Sequence, residues 1–444
     1  MTGILLGVFT LVWTGPVAGE VTSQQRLEKA EEAFAQEDFP KTLEIVAFLL
    51  KDSKYFKQAS RLKWLSLVRL RKTSEGVKAY DQLVNALGQE DEALLREMAI
   101  HAILPFRTDM REQVRAAAYS ALKEIPSDDV VPYFEEGLND GNGMIRALVA
   151  EGLGNLPAGL RSKRFRGALE DRAGLVRITV LKALGRSGDK TAIPLIKPLL
   201  QDEQEVVQVA AAAALYRLGQ TKYWARIRKA AHVREGYERG SALRMIGEIG
   251  EPRGFPLLKE GLLDKQPSIR AAAVASLGKL GLSKSVSAIV PLLSEPIPAV
   301  RSVAAVTLGT LRAEKAIPVL TKALRDDNMG VRAAAIAGLL QLGSPFRTVA
   351  GTVRELMGQQ NPALRSSVAK ALAHGRARDV VGTLTLFLND PVPKPRISAA
   401  RSLGRVGGRD VIPQLKRAMK DPDEPVRATA AGAIARILSQ PPEI

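Results

Sequence analysis

Residues 171–188, DRAGLVRITVLKALGRSG, decide the fold, because they contain one copy of a pattern that recurs through most of the chain. An Asp begins the stretch, and Arg177 follows six residues later. Val176, Val180 and Leu184 recur at every fourth residue, which is the spacing of one apolar face of a helix. The Gly-rich end of the stretch is typical of a helix C-terminus. The pattern therefore predicts an amphipathic helix with a defined beginning and end.

The Arg position recurs along the chain with a nearly constant period, and every copy holds Arg except Gln208. The copies are residues 115, 146, 177, 208, 239, 270, 301, 332, 365, 396 and 427. Nine of the ten intervals are 31 residues and one is 33, which identifies an internal repeat. The residue seven positions after each copy is apolar, and the residue three positions after it is Ala or Val. Such small residues allow neighbouring helices to approach closely.

Each repeat contains another helix, which lies before the amphipathic helix in the sequence. It opens with an apolar-Pro pair in several copies: Ile193-Pro194, Phe255-Pro256, Ile317-Pro318 and Ile412-Pro413. Proline is tolerated there because the first helical turn does not use its missing N–H. One such hairpin cannot bury its apolar faces alone, so neighbouring hairpins must stack. The sequence predicts an all-α protein, a right-handed α-solenoid of about eleven stacked hairpins with a long surface and no enclosed chamber.

An acidic residue precedes most Arg positions by six residues. These acids are Asp109, Asp140, Asp171, Asp202, Asp264, Glu295, Asp326, Asp390 and Asp421. An Asp at a helix start accepts hydrogen bonds from backbone N–H groups, and a guanidinium group pairs well with a carboxylate. We interpret the two columns as a structural ladder that ties the turns together. The alternative is a track of arginines for the phosphates of an anionic polymer.

The core Asp-x-x-x-x-Val-Arg-x-x-Ala-x-x-x-Leu-Gly, which recurs over residues 91–438, resembles HEAT-like repeats of the short phycobilisome-lyase type. The resemblance implies the fold but no single function, because such repeats occur in lyase subunits, chaperones and scaffolds. HEAT-like deoxyhypusine hydroxylases need His-Glu pairs as iron ligands, whereas His101, His232 and His374 are followed by Ala, Val and Gly. A lyase-type or alkylpurine-glycosylase-type HEAT enzyme remains an alternative.

The first ninety residues lack the 31-residue period. Residues 1–19 contain an uncharged apolar run and end in small residues, which predicts a signal peptide and a periplasmic or secreted protein. No Lys or Arg precedes the run, so an uncleaved N-terminal anchor is the alternative. Residues 20–90 resemble tetratricopeptide hairpins, or form a helical cap, and residues 91–444 are the HEAT-like solenoid. No further apolar stretch is long enough to span a membrane.

Composition limits the possible chemistry. The chain contains no Cys and three His, so thiolate chemistry is excluded and a metal site is not expected. The sequence shows no catalytic constellation and implies no cofactor. The net charge of +17 lies in the C-terminal part, because residues 20–114 carry −1 and residues 115–444 carry +18. This excess makes an anionic polymer, a nucleic acid or an acidic surface, the alternative partner.

On a helical wheel, the positions one, five and eight residues after the Arg position face away from the buried stripe. They hold five basic residues (Lys123, Lys182, Arg244, Lys370 and Arg401) and one acid (Glu151), and nearly all the others are small. This smooth, mildly apolar lining favours a protein partner over a nucleic acid. The sequence thus predicts a non-catalytic scaffold or adaptor that binds a protein through its concave face.

Residues 208–239 break the repeat and concentrate aromatic and basic residues. The candidate binding residues are Tyr216, Arg217, Lys222, Tyr223, Trp224, Arg226, Arg228 and Lys229, together with Arg244 of the concave lining. Aromatic residues and Arg are enriched at binding hot spots, so we expect Tyr223, Trp224 and Arg226 to anchor a partner. The alternative is a degenerate repeat whose aromatic rings fill a gap.

Overall fold

The structure, a computed structural model, describes residues 21–233 and 236–441. The described residues are helical, with turns between the helices and no strand. None of their helices combines the length and the apolar character needed to span a bilayer. The predicted signal peptide, residues 1–19, lies outside the described residues. The chain divides into two compact units, Met1–Gln89 and Glu90–Ile444.

The first unit contains two helical hairpins in its described part. Their helices are α1 (Ser23–Ala35), α2 (Phe39–Leu49), α3 (Phe56–Arg69) and α4 (Thr73–Leu87). Val46, Leu49 and Leu62 are buried in the core of this unit, and Trp64 packs edge-on against Tyr80 with ring centroids 6.2 Å apart. The relation of these hairpins to tetratricopeptide repeats stays a prediction.

The second unit consists, in its described residues, of eleven hairpins that follow the predicted period. We number them 1 to 11 by the Arg positions, from residue 115 to residue 427. The first helices of the hairpins are Glu92–Ile103, Val131–Gly137, Lys163–Gly167, Ile193–Ile196, Trp224–Ala230, Phe255–Gly261, Ser285–Ile289, Ile317–Ala323, Phe346–Met357, Ala377–Phe387 and Ile412–Ala418. The second helices, called the inner helices below, are Glu112–Leu122, Gly143–Leu153, Gly174–Ser187, Glu205–Arg217, Gly236–Ile249, Pro267–Leu280, Pro298–Thr310, Met329–Gln341, Pro362–Leu372, Pro393–Val406 and Glu424–Leu438.

Shorter helical segments complete this unit. One is the helical turn Pro157–Arg161. The 3₁₀ segments are Leu104–Thr108, Asp128–Val130, Ala168–Glu170, Lys190–Ala192, Lys197–Gln201, Thr221–Tyr223, Pro252–Gly254, Val290–Ser294, Glu314–Ala316 and Arg409–Val411. Several of them adjoin the apolar-Pro helix starts, as Lys190–Ala192 does before Ile193.

Local sequence sets the bounds of these helices as predicted. The helix Ile193–Ile196 begins at its apolar-Pro pair. The inner helix Gly174–Ser187 ends where Gly188 adopts a φ of +72°, a conformation that costs glycine little and other residues more. The stripe residues Val176 and Leu184 are fully buried. The predicted helical pattern is confirmed.

Arg146 shows how the ladder works. Its Nε and Nη2 donate to the two carboxylate oxygens of Asp171 in the next hairpin, both at 2.7 Å. Its Nη1 donates to the backbone oxygen of Asp140 in its own hairpin at 2.8 Å. Asp171 also accepts a hydrogen bond from the backbone N–H of Ala173 at 2.7 Å, which anchors the start of the next inner helix. One guanidinium group therefore joins two hairpins, and the ladder is structural, as interpreted from the sequence.

The same arrangement runs along the second unit. The pairs that join successive hairpins are Arg115–Asp140, Arg146–Asp171, Arg177–Asp202, Arg239–Asp264, Arg270–Glu295, Arg301–Asp326, Arg365–Asp390 and Arg396–Asp421. The ladder is interrupted at two Arg positions, and a different side-chain contact replaces the missing pair at each. Gln208 accepts a hydrogen bond from Arg226, and Arg332 pairs with Glu355 at 2.6 Å next to the 33-residue interval.

Because of the ladder, the stability of the fold is expected to decrease at acidic pH. Burial opposes ionisation of Asp171, Asp326 and Asp390, but hydrogen bonds from Arg and backbone N–H groups outweigh it and hold each pKa below its usual value. A carboxylate with a lowered folded pKa stabilises the fold above its unfolded pKa of about 4, and this contribution is lost as the pH falls further. We expect the urea midpoint, followed by circular dichroism, to fall steadily below about pH 4. A midpoint independent of pH in that range would contradict the ladder's role.

The array of hairpins closes on itself, which the repeat pattern did not predict. Each inner helix in the described residues packs against the next, and the last, Glu424–Leu438, packs against both Glu92–Ile103 and Glu112–Leu122 of hairpin 1. A Cβ atom added at Gly432 would lie only 2.7 Å from the backbone oxygen of Ala121. The inner helices of the second unit therefore form a closed ring, and we call the contact between hairpins 11 and 1 the seam.

Ion pairs reinforce the seam. Arg409 of hairpin 11 donates to Glu92 of hairpin 1 at 2.9 Å, and Lys416 pairs with Glu90 at 3.1 Å. These residues lie more than 300 positions apart in the sequence and follow no repeat register. The closure therefore uses contacts specific to the two ends of the array.

Candidate functional site

One of the predicted lining positions of the inner helices is displaced by one residue in the structure. The residue eight positions after the Arg position is buried in most hairpins, because it contacts the next inner helix. A Cβ added at Gly185, for example, would lie 2.8 Å from the Cα of Ala214. The residue nine positions after the Arg position is exposed instead, as at Arg186 and Lys279. The prediction that position eight lines the surface is wrong, because tight helix packing uses that position.

This surface is concave. Arg405 of hairpin 10 donates to Glu124 of hairpin 1 at 2.7 Å, although hairpin 11 lies between them. Side chains two hairpins apart can meet only if they converge, so they point toward the inside of the ring. We call the side chains five and nine positions after the Arg positions the inner face.

The inner face is basic rather than smooth and apolar. Its basic residues are Lys182, Arg186, Arg217, Arg244, Lys279, Lys370, Arg401, Arg405 and Arg436, and its acids are Glu124, Glu151 and Glu248. None of its 22 positions holds Phe, Trp or Tyr. Part of the positive charge of residues 115–444 therefore lies on the concave surface, which the sequence predicts to be smooth and mildly apolar.

Five of these cations form the first cationic cluster: Lys182, Arg186, Arg217, Arg244 and Lys279. Glu248 is the acid among them and accepts a hydrogen bond from Lys279. Arg217 donates to the backbone oxygen of Gly185 at 3.2 Å and to that of Glu248. Lys182, Arg186 and Arg244 make no ion pair within the part of the chain that the structure describes. The cluster thus carries more positive charge than its single carboxylate balances.

Crowding of these cations affects Lys182 most clearly. Burial lowers the pKa of Lys182, and the charges of Lys279, Arg244 and Arg186 lower it further, whereas Glu248 acts in the opposite direction. Each nearby cation raises the cost of protonating this amine. A bound anion would remove that cost, so the electrostatics of the cluster favour an anionic ligand group.

An apolar groove adjoins the first cationic cluster. It has a volume of about 440 Å³ and is lined by Ala275, Gly278, Lys279, Ser302, Val303, Val306, Thr307, Thr310 and Ala334. Lys279 belongs to both features, so the groove begins where the cluster ends. Small side chains and one cation make this groove suited to aliphatic groups of a ligand rather than to large rings.

A second cationic cluster lies beside the seam and consists of Lys370, Arg401, Arg405 and Arg436. Burial opposes ionisation of Glu124, but the hydrogen bond from Arg405 and the nearby arginines outweigh it and keep the pKa of Glu124 below its usual value. Arg401 and Arg436 approach the same carboxylate at 3.6 and 3.9 Å. Because Glu124 belongs to hairpin 1, this second cluster also holds the ring closed.

The nine residues predicted from sequence do not form one site. Arg217 and Arg244 lie on the inner face, in the first cationic cluster. Lys222 and Tyr223 lie on the turn before the first helix of hairpin 5, with the Lys222 amine 5.3 Å from the Tyr223 ring centroid. Arg228 and Lys229 are exposed on that first helix (Trp224–Ala230), outside the inner face.

The remaining three predicted residues have intramolecular contacts. The Tyr216 and Trp224 ring centroids lie 5.8 Å apart, and Arg253 lies over Trp224 and donates to the Tyr216 hydroxyl at 2.7 Å. Arg226 occupies the gap in the ladder at Gln208. The anchoring role of Tyr223, Trp224 and Arg226 stays a prediction, and these contacts also fit the alternative of rings that fill a degenerate repeat.

Apart from Arg217, the basic residues nine positions after the Arg position were not predicted from the sequence. The sequence does contain this column of basic residues, which are Arg186, Arg217, Lys279, Arg405 and Arg436. It was overlooked because an ideal helical wheel does not show which flank of a helix contacts its neighbour. In the described residues, no group of three or more His, Asp or Glu side chains is placed to hold a metal ion.

One comparison with known proteins identifies the type of repeat. A family model described as HEAT repeats matches residues 162–235, 225–296, 286–373 and 380–442. A search of curated proteins gives no match. Similar solved structures include human deoxyhypusine hydroxylase in complex with glycerol, with 20% identity over 56% of this chain and 98% of that chain and a TM-score of 0.31.

Two further solved structures have similarly low TM-scores. The complex of CpcE and CpcF of phycocyanin lyase from Nostoc sp. PCC7120 is 20% identical over 54% of this chain and 92% of that chain, with a TM-score of 0.37. An engineered protein is 15% identical over 76% of this chain and 98% of that chain, with a TM-score of 0.29. Function cannot be transferred at this level of similarity. The family model, in contrast, matches more than half of the chain, and the chain therefore belongs to the HEAT-repeat family.

Proposed function

We propose that this protein is a non-catalytic scaffold that binds a protein partner on the inner face of its ring of HEAT repeats. The observation that carries the proposal is the first cationic cluster beside the apolar groove on a concave surface. Charged groups that lack ion-pair partners, next to an apolar surface, are the features that a polypeptide ligand satisfies. The inner face holds no Phe, Trp or Tyr, which disfavours base stacking with a nucleic acid.

The width of the ring favours an extended segment over a folded partner inside it. Helices packed about 9 Å apart, eleven of them in the described residues, give a circle of axes about 30 Å across. The width of the helices, about 10 Å, reduces the opening to about 20 Å. A folded domain of about 100 residues has a radius of gyration of about 13 Å and is too wide to enter. An extended chain fits.

A second candidate function is the binding of an anionic polymer, supported by the excess of nine cations over three acids on the inner face.

We also propose a periplasmic or secreted location, with an uncleaved N-terminal anchor as the alternative. That proposal is supported only by the apolar run and small residues within residues 1–19.

Site-specific photocrosslinking in the source organism tests the function. A photoreactive amino acid at Val303 or Thr310, on the inner side, is expected to crosslink to one specific protein. The matched control positions are the exposed Arg228 and Lys229 on a first helix. Crosslinks that form only at the control positions, or crosslinks to nucleic acid at the inner positions, would refute the proposal.

A further inference from the structure

We propose that the first cationic cluster and the apolar groove together bind an extended acidic polypeptide segment, with carboxylates on the cluster and small aliphatic side chains in the groove. This inference rests on the proposed function and specifies the chemistry of the partner. It goes beyond the general expectation of a protein ligand because it assigns two adjoining subsites and the side chains that each subsite takes.

The cluster supplies the specificity for carboxylates. Lys182, Arg186 and Arg244 make no ion pair within the described residues, although they lie close to one another on a concave surface. Guanidinium and ammonium groups bind carboxylates through charge-assisted hydrogen bonds, which strengthen where water is partly excluded. A carboxylate placed here also relieves the mutual repulsion of the cations, which otherwise has to be screened by solvent.

The groove supplies the specificity for a polypeptide. Val303 and Val306 face an opening that contains small side chains and, apart from Lys279, no charged group. A phosphate backbone carries a charge at every residue and offers no aliphatic group for this surface. A polypeptide can alternate carboxylates and aliphatic side chains over the same distance. Glu248 in the cluster further disfavours a continuous polyanion, because its carboxylate repels closely spaced phosphates.

The test uses the full chain and a fluorescein-labelled twelve-residue peptide of Glu, Val and Ala. Fluorescence anisotropy is expected to show binding that weakens about tenfold in the double variant Lys182→Gln, Arg244→Gln. The matched control is Arg228→Gln, Lys229→Gln, which removes the same charge from exposed positions outside the inner face. This control should bind the peptide as the unchanged protein does.

A second variant tests the groove independently. Val303→Asp places a carboxylate beside the aliphatic subsite and should weaken binding by a similar factor. Thermal melts that match the unchanged protein will show that the variants are folded. A peptide with Lys in place of Glu is expected not to bind, and a twelve-nucleotide oligo-dT is expected to bind more weakly than the acidic peptide.

Each opposite outcome overturns the inference. It is refuted if the Lys peptide binds equally well, if the oligonucleotide binds more tightly, or if only the Arg228 and Lys229 control loses binding. Failure of the acidic peptide to bind, while inner positions still crosslink to a protein, refutes this inference alone. Loss of all inner crosslinks refutes the proposed function itself.

Discussion

Replacement of Arg146 by Ala is expected to lower the free energy of unfolding by about 3–5 kcal/mol, because it leaves the largely buried carboxylate of Asp171 without its guanidinium partner. The Arg146 side chain is 5% exposed and that of Asp171 is 11% exposed. Two charge-assisted hydrogen bonds are lost, and the backbone oxygen of Asp140 loses its donor as well. Equilibrium urea unfolding followed by circular dichroism measures the change.

The neighbouring Arg172 provides the matched control. It is exposed and donates a hydrogen bond to the backbone oxygen of Gly141 at 3.1 Å. Arg172→Ala removes the same type of side chain, from the turn that holds Asp171, and should cost less than about 1 kcal/mol. If Arg146→Ala and Arg172→Ala destabilise the protein equally, the ladder is not what joins the hairpins.

The fold could be predicted because its determinants are local and repeated. Val176, Val180 and Leu184 define a buried stripe within one helix, and the same spacing recurs every 31 residues. The Asp and Arg columns likewise lie at fixed offsets, so the pairing of Arg146 with the next hairpin follows the repeat. A periodic sequence therefore specifies each hairpin and its contact with the next.

Closure of the ring could not be predicted in the same way. It depends on the small rotation between neighbouring hairpins, summed over the whole array. That rotation is set by close contacts such as Gly404 against Ala433, whose geometry a sequence does not show. The residues that hold the seam, among them Glu92 and Glu124, look like ordinary surface acids in the sequence.

The candidate site was predicted only in part. The sequence placed Lys182 and Arg244 on the lining correctly, because both lie five positions after the Arg position. It missed Arg186, one residue beyond the predicted row, since the packing of neighbouring inner helices decides which flank is exposed. It also grouped Arg228 with Arg217 by proximity in sequence, whereas the two lie on different helices and only Arg217 lies on the inner face.

Replacement of Gly432 by Ala is expected to open the seam or to destabilise the second unit by about 1–3 kcal/mol, through overpacking. An added Cβ would lie 2.7 Å from the oxygen and 2.9 Å from the Cβ of Ala121, both closer than atoms in contact allow. The loss must exceed a gain of about 1 kcal/mol, since Ala is the better helix former. Gly432→Leu should have the larger effect.

Gly382, in the helix Ala377–Phe387, is the matched control because an added Cβ there meets nothing within 4 Å. Gly382→Ala should therefore stabilise the protein by about 0.5–1 kcal/mol. Hydrogen exchange distinguishes local opening from general loss of stability, since an opened seam exposes Glu112–Leu122 and Glu424–Leu438 before the other inner helices. If Gly432→Ala stabilises the protein as Gly382→Ala does, hairpins 11 and 1 are not packed together in solution, and the inner face belongs to an open array rather than a ring.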